Sequence, residues 1–303
     1  MKILLFTLLS FVCFPLTINA QQDPLYSQYM FNMLAINPAY TGMHNNLNIS
    51  LSSRFQWGGL DGSPKTNILT ASTSLIDHKV GVGVIILRDE LGVNENTEGY
   101  LSYSYKISSA DYTLSFGLQS GFVNYSYNYN DLTLRFLDDP SFAPISEGLT
   151  RFNFGAGVAF MSDKLFLGFS SPRLLNKSFS DGVIQSTRYQ RHFYITGAYL
   201  LELRRGIKFK PMVLIKGVSG APISYDLNFS LLLNNKLWAG IYTRDFNTYG
   251  LMAQFEFMTA YKFGYSFEIP SGDFIATNLL THELMVSIDL AIFSEHDVFQ
   301  RHF

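Results

Sequence analysis

Apolar and polar residues alternate with a period of two along most of this chain. Leu47, Ile49, Leu51, Phe55 and Trp57 interleave with Asn48, Ser50, Ser52, Arg54 and Gln56. The same rhythm sets Leu101, Tyr103, Tyr105 and Ile107 against Ser102, Ser104 and Lys106. It returns at Tyr112–Phe122, Ile223–Leu231, Tyr261–Glu268 and Leu284–Ile292. Period two is the signature of strands with one apolar face. It predicts fourteen strands, at about 46–57, 66–76, 80–88, 97–108, 111–123, 152–161, 164–170, 191–201, 207–217, 223–233, 236–244, 249–257, 260–269 and 282–293. Several reach the roughly 9–11 residues that a tilted strand needs to cross a bilayer. The links alternate in length. Asp77-His78-Lys79, Ser109-Ala110, Ser162-Asp163, Glu202–Gly206, Asn234-Asn235 and Met258-Thr259 are short, whereas Gly58–Lys65, Asp89–Asn96, Asn124–Arg151, Ser171–Gln190, Val218–Pro222, Asp245–Thr248 and Pro270–Thr281 tend to be longer. Short turns on one side and longer loops on the other mark an outer-membrane barrel.

Composition strengthens this reading. Hydrophobic residues make up 47% of the chain, aromatic residues 16% and charged residues only 15%, where a soluble domain carries about 25% charged. Past residue 20 no apolar run approaches the length of a spanning helix. A closed barrel is the other way to satisfy every backbone group in lipid. Residues 1–20 read as a signal peptide, with Met1-Lys2, the apolar run Ile3–Phe14 and the small residue Ala20. Cys13 is the only cysteine and leaves with that segment, which excludes a disulfide framework and thiol chemistry. Loss of Lys2 takes the formal charge from −2 to −3, so the chain lacks the basic footprint of a nucleic-acid binder.

The chain is therefore expected to be all-β, a transmembrane antiparallel up-and-down barrel of about fourteen strands over 46–293. Residues 21–45 form an aromatic plug or periplasmic docking segment, and 294–303 form a short periplasmic tail. An even strand number puts both ends in the periplasm. Alternation points Arg54, Lys106, Asp226, Glu256, Lys262, Glu268 and Asp289 into the lumen. Their mixed signs favour cross-strand salt bridges over a selective pore. Gly81, Gly83, Gly117, Gly155, Gly157 and Gly264 lack a nucleotide-loop context and suit strand curvature or room for a plug. Six scattered histidines offer no metal-site spacing, and the acidic Asp89–Glu98 stretch reads as a solvated loop rather than a calcium site. No nucleophile–base set is singled out. The expectation is no enzyme, no cofactor and no metal.

A family resemblance rests on particular residues. The run Asp23-Pro24-Leu25-Tyr26-Ser27-Gln28-Tyr29-Met30-Phe31-Asn32, followed by Ala35-Ile36-Asn37-Pro38-Ala39-Tyr40-Thr41-Gly42, resembles the opening signature of the PorP/SprF outer-membrane proteins of the type IX secretion system in Bacteroidota. Weaker likenesses continue at Arg54–Trp57, Gly62–Thr66, Lys79–Gly83, Gly168–Pro172, Gly220–Pro222 and His282-Glu283. The resemblance implies a role in protein secretion and gliding motility, beside periplasmic ring and peptidoglycan-linked components. It also implies a large secreted adhesin with a C-terminal sorting domain as partner. Asp23, Pro24, Tyr26, Gln28, Tyr29, Phe31, Asn32, Asn37, Pro38, Tyr40 and Gly42 become plug or docking candidates, with the Asn124–Arg151 loop as a second docking surface. A diffusion or fatty-acid-type transport barrel is the alternative function.

Overall fold

The computed structural model describes residues 26–127, 149–175, 177–178, 188–218, 221–271, 280–294, 296, 298 and 302–303. The expected signal peptide, Asp23 and Pro24, most of the Asn124–Arg151 loop and Gly220 lie outside them.

The strands are β1 (Leu47–Phe55), β2 (Lys65–Leu75), β3 (Val80–Leu91), β4 (Asn94–Ser108), β5 (Tyr112–Tyr127), β6 (Leu149–Ser162), β7 (Leu165–Ser171), β8 (Lys177–Ser178), β9 (Arg188–Tyr189), β10 (His192–Tyr199), β11 (Leu201–Arg204), β12 (Ile207–Val218), β13 (Ser224–Leu233), β14 (Leu237–Arg244), β15 (Thr248–Phe257), β16 (Tyr261–Pro270) and β17 (Thr281–Leu290). β8 and β9 pair only with each other, inside the link expected at Ser171–Gln190. β10 and β11 flank Leu200 and make one stave, so the wall has fourteen. Every pairing is antiparallel. β1 pairs with both β2 and β17, and β10 with both β7 and β12, which closes the ring. Closure removes the sheet edges that lipid could not satisfy.

Alternation is realised as two faces. On β4, Ser102, Ser104 and Lys106 are buried, whereas Leu101, Tyr103, Tyr105 and Ile107 are exposed on the outside. β16 repeats this with Lys262, Gly264, Ser266 and Glu268 inside and Phe263 and Tyr265 outside. A transmembrane barrel with a lipid-facing belt is thus the observed fold. Leu227 takes the outward parity between buried Asp226 and Asn228. Leu227→Arg is expected to cost about 2–4 kcal/mol of membrane stability if it lies near the midplane, measured by urea unfolding in vesicles. Unchanged stability would mean the faces are reversed.

Two expected loops are in fact tight turns. The strands around Asp89–Asn96 continue to Leu91 and resume at Asn94, leaving only Gly92-Val93 between them. Asp245-Phe246-Asn247 is a three-residue hairpin turn, closed by Asn247 N donating to Arg244 O at 2.9 Å, with positive φ at Asp245 and Phe246. The acidic stretch is therefore mostly strand rather than the solvated loop expected. Glu98 is buried in the lumen, whereas Arg88 on the outside pairs with Glu90 and Glu95 at 3.0 Å each.

β1 starts opposite the end of β17, with Leu47 against Leu290. Both therefore lie on the rim formed by the turns at 76–79, 109–111, 163–164, 205–206, 234–236 and 258–260, here the turn rim. The opposite rim carries the longer links.

Candidate functional site

The lumen is occupied by the chain itself. Residues 26–46 run through it toward the turn rim, where they become β1. Three short 3-10 turns, Tyr29–Phe31, Met33–Ala35 and Pro38–Tyr40, shape the segment. Asn37 caps the third: its Oδ1 accepts from Ala39 N at 2.9 Å, with Pro38 next at the first helical position.

Glycines and serines of the wall receive this backbone. A Cβ on Gly117 would lie 2.1 Å from Ala39 N, one on Gly81 would lie 2.1 Å from Thr41 O, and one on Gly157 would lie 2.1 Å from Asn37 Oδ1. Beside these glycines three hydroxyls donate to carbonyls of the segment, each at 2.6 Å: Ser170 to Ile36 O, Ser115 to Ala39 O and Ser104 to Thr41 O. A buried carbonyl without a partner costs about 1–3 kcal/mol, so this ladder lets irregular backbone lie inside a barrel. Gly42 needs its positive φ and its missing side chain, since a Cβ would sit 2.5 Å from Thr73 O.

An ionic chain binds the segment's start. Lys216 on β12 meets Asp226 on β13 at 2.7 Å, and Arg244 on β14 meets Asp226 at 3.2 Å and Glu268 on β16 at 3.6 Å. Arg54 on β1 meets Glu268 at 2.5 Å and Glu283 on β17 at 3.5 Å. Signs alternate through six buried groups and cancel. Ser27 sits at its centre. Its Oγ donates to Glu268 at 2.5 Å and accepts from Arg54, and its N–H donates to Glu283 at 2.7 Å. Gln28 donates from Nε2 to Glu283 O at 3.0 Å, and Tyr242 donates to Glu268 at 3.0 Å. Elsewhere Arg173 grips Glu98 through two contacts of 2.9 Å, and Lys262 meets Asp289 at 2.7 Å.

Between these polar zones the packing is apolar. Tyr29, Met30, Met33, Leu34 and Ile36 bury against Ile68, Ile85, Leu87, Met212, Leu214 and Met252 of the wall. Spaces beside the segment measure about 40, 30 and 10 Å³, the size of one to a few waters. A larger cavity of about 720 Å³ opens at the turn rim, between Met43, His44, Lys106, Leu200, Lys208 and Phe303.

The seven charged residues expected in the lumen are all buried there. Arg54, Asp226 and Glu268 meet in one network, and Lys262 and Asp289 pair in another. Lys106 donates to Gly42 O, and Glu256 is inward on β15. Of the segment's candidates, Gln28, Tyr29, Asn32, Asn37, Pro38, Tyr40 and Gly42 are buried in the lumen, and Asn32 Oδ1 accepts from Thr70 at 3.1 Å. Tyr26 and Phe31 are half-buried, the latter 5.7 Å from the Lys210 ammonium. Sequence reasoning missed Ser27, Glu98, Arg173, Lys216 and Arg244 as network members, and met Glu283 only in the His282-Glu283 likeness. Asn37→Ala removes the cap and a bond from Nδ2 to Val158 O of 3.2 Å. It is expected to loosen this turn by about 1–2 kcal/mol, seen as faster amide exchange at residues 37–42 with the barrel intact. Unaltered exchange would deny Asn37 that role.

The family model described as "Type IX secretion system membrane protein PorP/SprF" matches residues 18–288. No curated protein matches. Among solved structures the chain is similar to the outer membrane protein Omp33 of Acinetobacter baumannii, with TM-score 0.48 and 8% identity over 82% of this chain and 100% of that one. It is also similar to the CymD monoaromatic hydrocarbon channel, with TM-score 0.49 and 11% identity over 90% and 95%.

Proposed function

The chain belongs to the PorP/SprF family of type IX secretion system membrane proteins, and from that premise we propose that it is a closed, non-enzymatic anchor in the outer membrane. It holds secretion components, and a secreted adhesin with a C-terminal sorting domain, rather than passing solutes. Its turn rim, where β1 begins and β17 ends, faces the periplasm, with the ring and peptidoglycan-linked components beneath, and its longer loops face outward. The observation that carries this reading is the lumen. Residues 26–46 fill it and are bonded to the wall by the serine ladder and by Ser27 in the ionic chain. Among the described residues, the spaces beside the segment hold one to a few waters.

Two measurements test the proposal. The purified full-length protein should give no steady conductance in planar bilayers. Affinity purification from envelopes should recover secretion-system proteins or a large surface protein. A stable open channel together with an empty purification would support the transport barrel instead.

A further inference from the structure

We propose that the turn rim captures an extended, acidic segment of a periplasmic partner protein as an added strand on β11. This rests on the anchoring function above and names where one partner binds.

At the turn rim β11 outruns its neighbour. β10 pairs with β7 as far as Tyr199 against Leu165, and Leu200 N donates to Lys164 O at 2.8 Å. There β7 ends, but the chain continues as β11, which pairs with β12 alone. Four residues at about 3.3 Å each carry a free edge roughly 13 Å past the neighbouring strand. An unpaired strand edge is a template for another chain, and strand addition is a recurrent mode of peptide capture. All four residues, Leu201–Arg204, are exposed. The ladder is also irregular between Glu202 and Arg204, a device that limits indiscriminate pairing.

Charge specifies the occupant. Asn234 N donates to Gly206 O at 2.7 Å, which sets the turn bearing Lys236 beside the turn bearing Arg204 and Arg205. All three cations are exposed, and among the described residues they make no ion pair. Lys164 and Lys208 add two more on this side, against the carboxylates of Glu202 and Asp163. Asp77 and Asp111 stand on the far wall of the cavity. The free edge thus lies in a locally basic field and borders, through Leu200, Glu202 and Lys208, the 720 Å³ cavity. A segment added to β11 can put alternate side chains into that space and its carboxylates against Arg204, Arg205 and Lys236.

A photo-crosslinking amino acid placed at Leu203 in the full chain, in cells, tests this, with Leu101 in the lipid belt as control. The expected adduct maps to an extended acidic segment of a secretion-system protein. A synthetic peptide copying that segment should bind the purified protein, weaken with salt, and bind the R204E/R205E/K236E variant at least tenfold less. The variant must keep the heat-modifiable migration of a folded barrel. Equal peptide binding by both proteins, or adducts only to lipid or to basic segments, overturns the strand-addition site. If envelopes recover the same partners with the variant as with the original chain, the site falls while the anchoring function stands. If the original chain recovers none, both fall together.

Discussion

Gly117→Ala turns the closed barrel into a conducting one. The added Cβ would lie 2.1 Å from Ala39 N, 2.2 Å from Pro38 C and 2.4 Å from Ala39 Cα. All three are backbone atoms, so no flexible side-chain end can swing aside. Either β5 moves or the turn at Pro38–Tyr40 leaves its groove. β5 is held on both sides by β4 and β6, so the turn is the part that yields. Overpacking on this scale costs about 3 kcal/mol. It also breaks the bond from Ser115 to Ala39 O and strains its neighbours from Ser104 and Ser170. Outward Phe116 and Leu118 are untouched, so insertion should proceed. Discrete single-channel currents are expected in planar bilayers where the original chain shows none. Gly217→Ala is the control, since nothing lies within 4 Å of a Cβ there. A Gly117→Ala barrel that stays silent and unfolds at the original urea concentration would refute the groove's role.

The fourteen staves were legible because a barrel wall between lipid and a polar lumen imposes period two on the sequence. Legibility ends where one of those two environments ends. At Asp89–Asn96 polar residues dominate both faces, so the rhythm vanishes while the backbone ladder continues to Leu91 and from Asn94. The opposite failure is more telling. Val84-Ile85-Ile86-Leu87 and Pro211–Ile215 are apolar on both faces, as strands buried on both sides are. Ile85, Leu87, Met212 and Leu214 point inward onto the segment. Two-faced apolar runs in an otherwise alternating barrel thus record a filled lumen. β14 hides Arg244 for a related reason, because its inward residues include Trp238 and Tyr242. Inward parity marked Arg54 and Glu268 separately, but their meeting spans 214 positions. It depends on β1 closing onto β17, which no local pattern encodes.

Arg54→Met should destabilise the protein by about 3–5 kcal/mol, the cost of breaking a buried ion pair from one side. Among the described residues, Arg54 is the only cation within 4.0 Å of both Glu268 and Glu283. Without it, Glu268 keeps Arg244 and the hydrogen bonds from Ser27 and Tyr242, whereas Glu283 is left with hydrogen bonds from Ser27, Gln28 and Ser52. The loss should therefore appear first in the segment's start rather than in the lipid belt. Proteolysis near Ser27 in detergent should rise before the barrel loses its folded migration. The double variant Arg54→Met, Glu268→Gln separates charge from packing. It removes one negative charge while keeping a group that can accept from Ser27. It should recover a large part of the loss, giving a coupling of about 1–3 kcal/mol in the mutant cycle. Additive losses would show that Arg54 acts through shape alone. Full recovery would show that its charge serves chiefly to neutralise Glu268, with Ser27 held by the remaining hydrogen bonds. The alternating ionic chain predicts the intermediate value, because Glu283 still faces Ser27 and Gln28 without its cation.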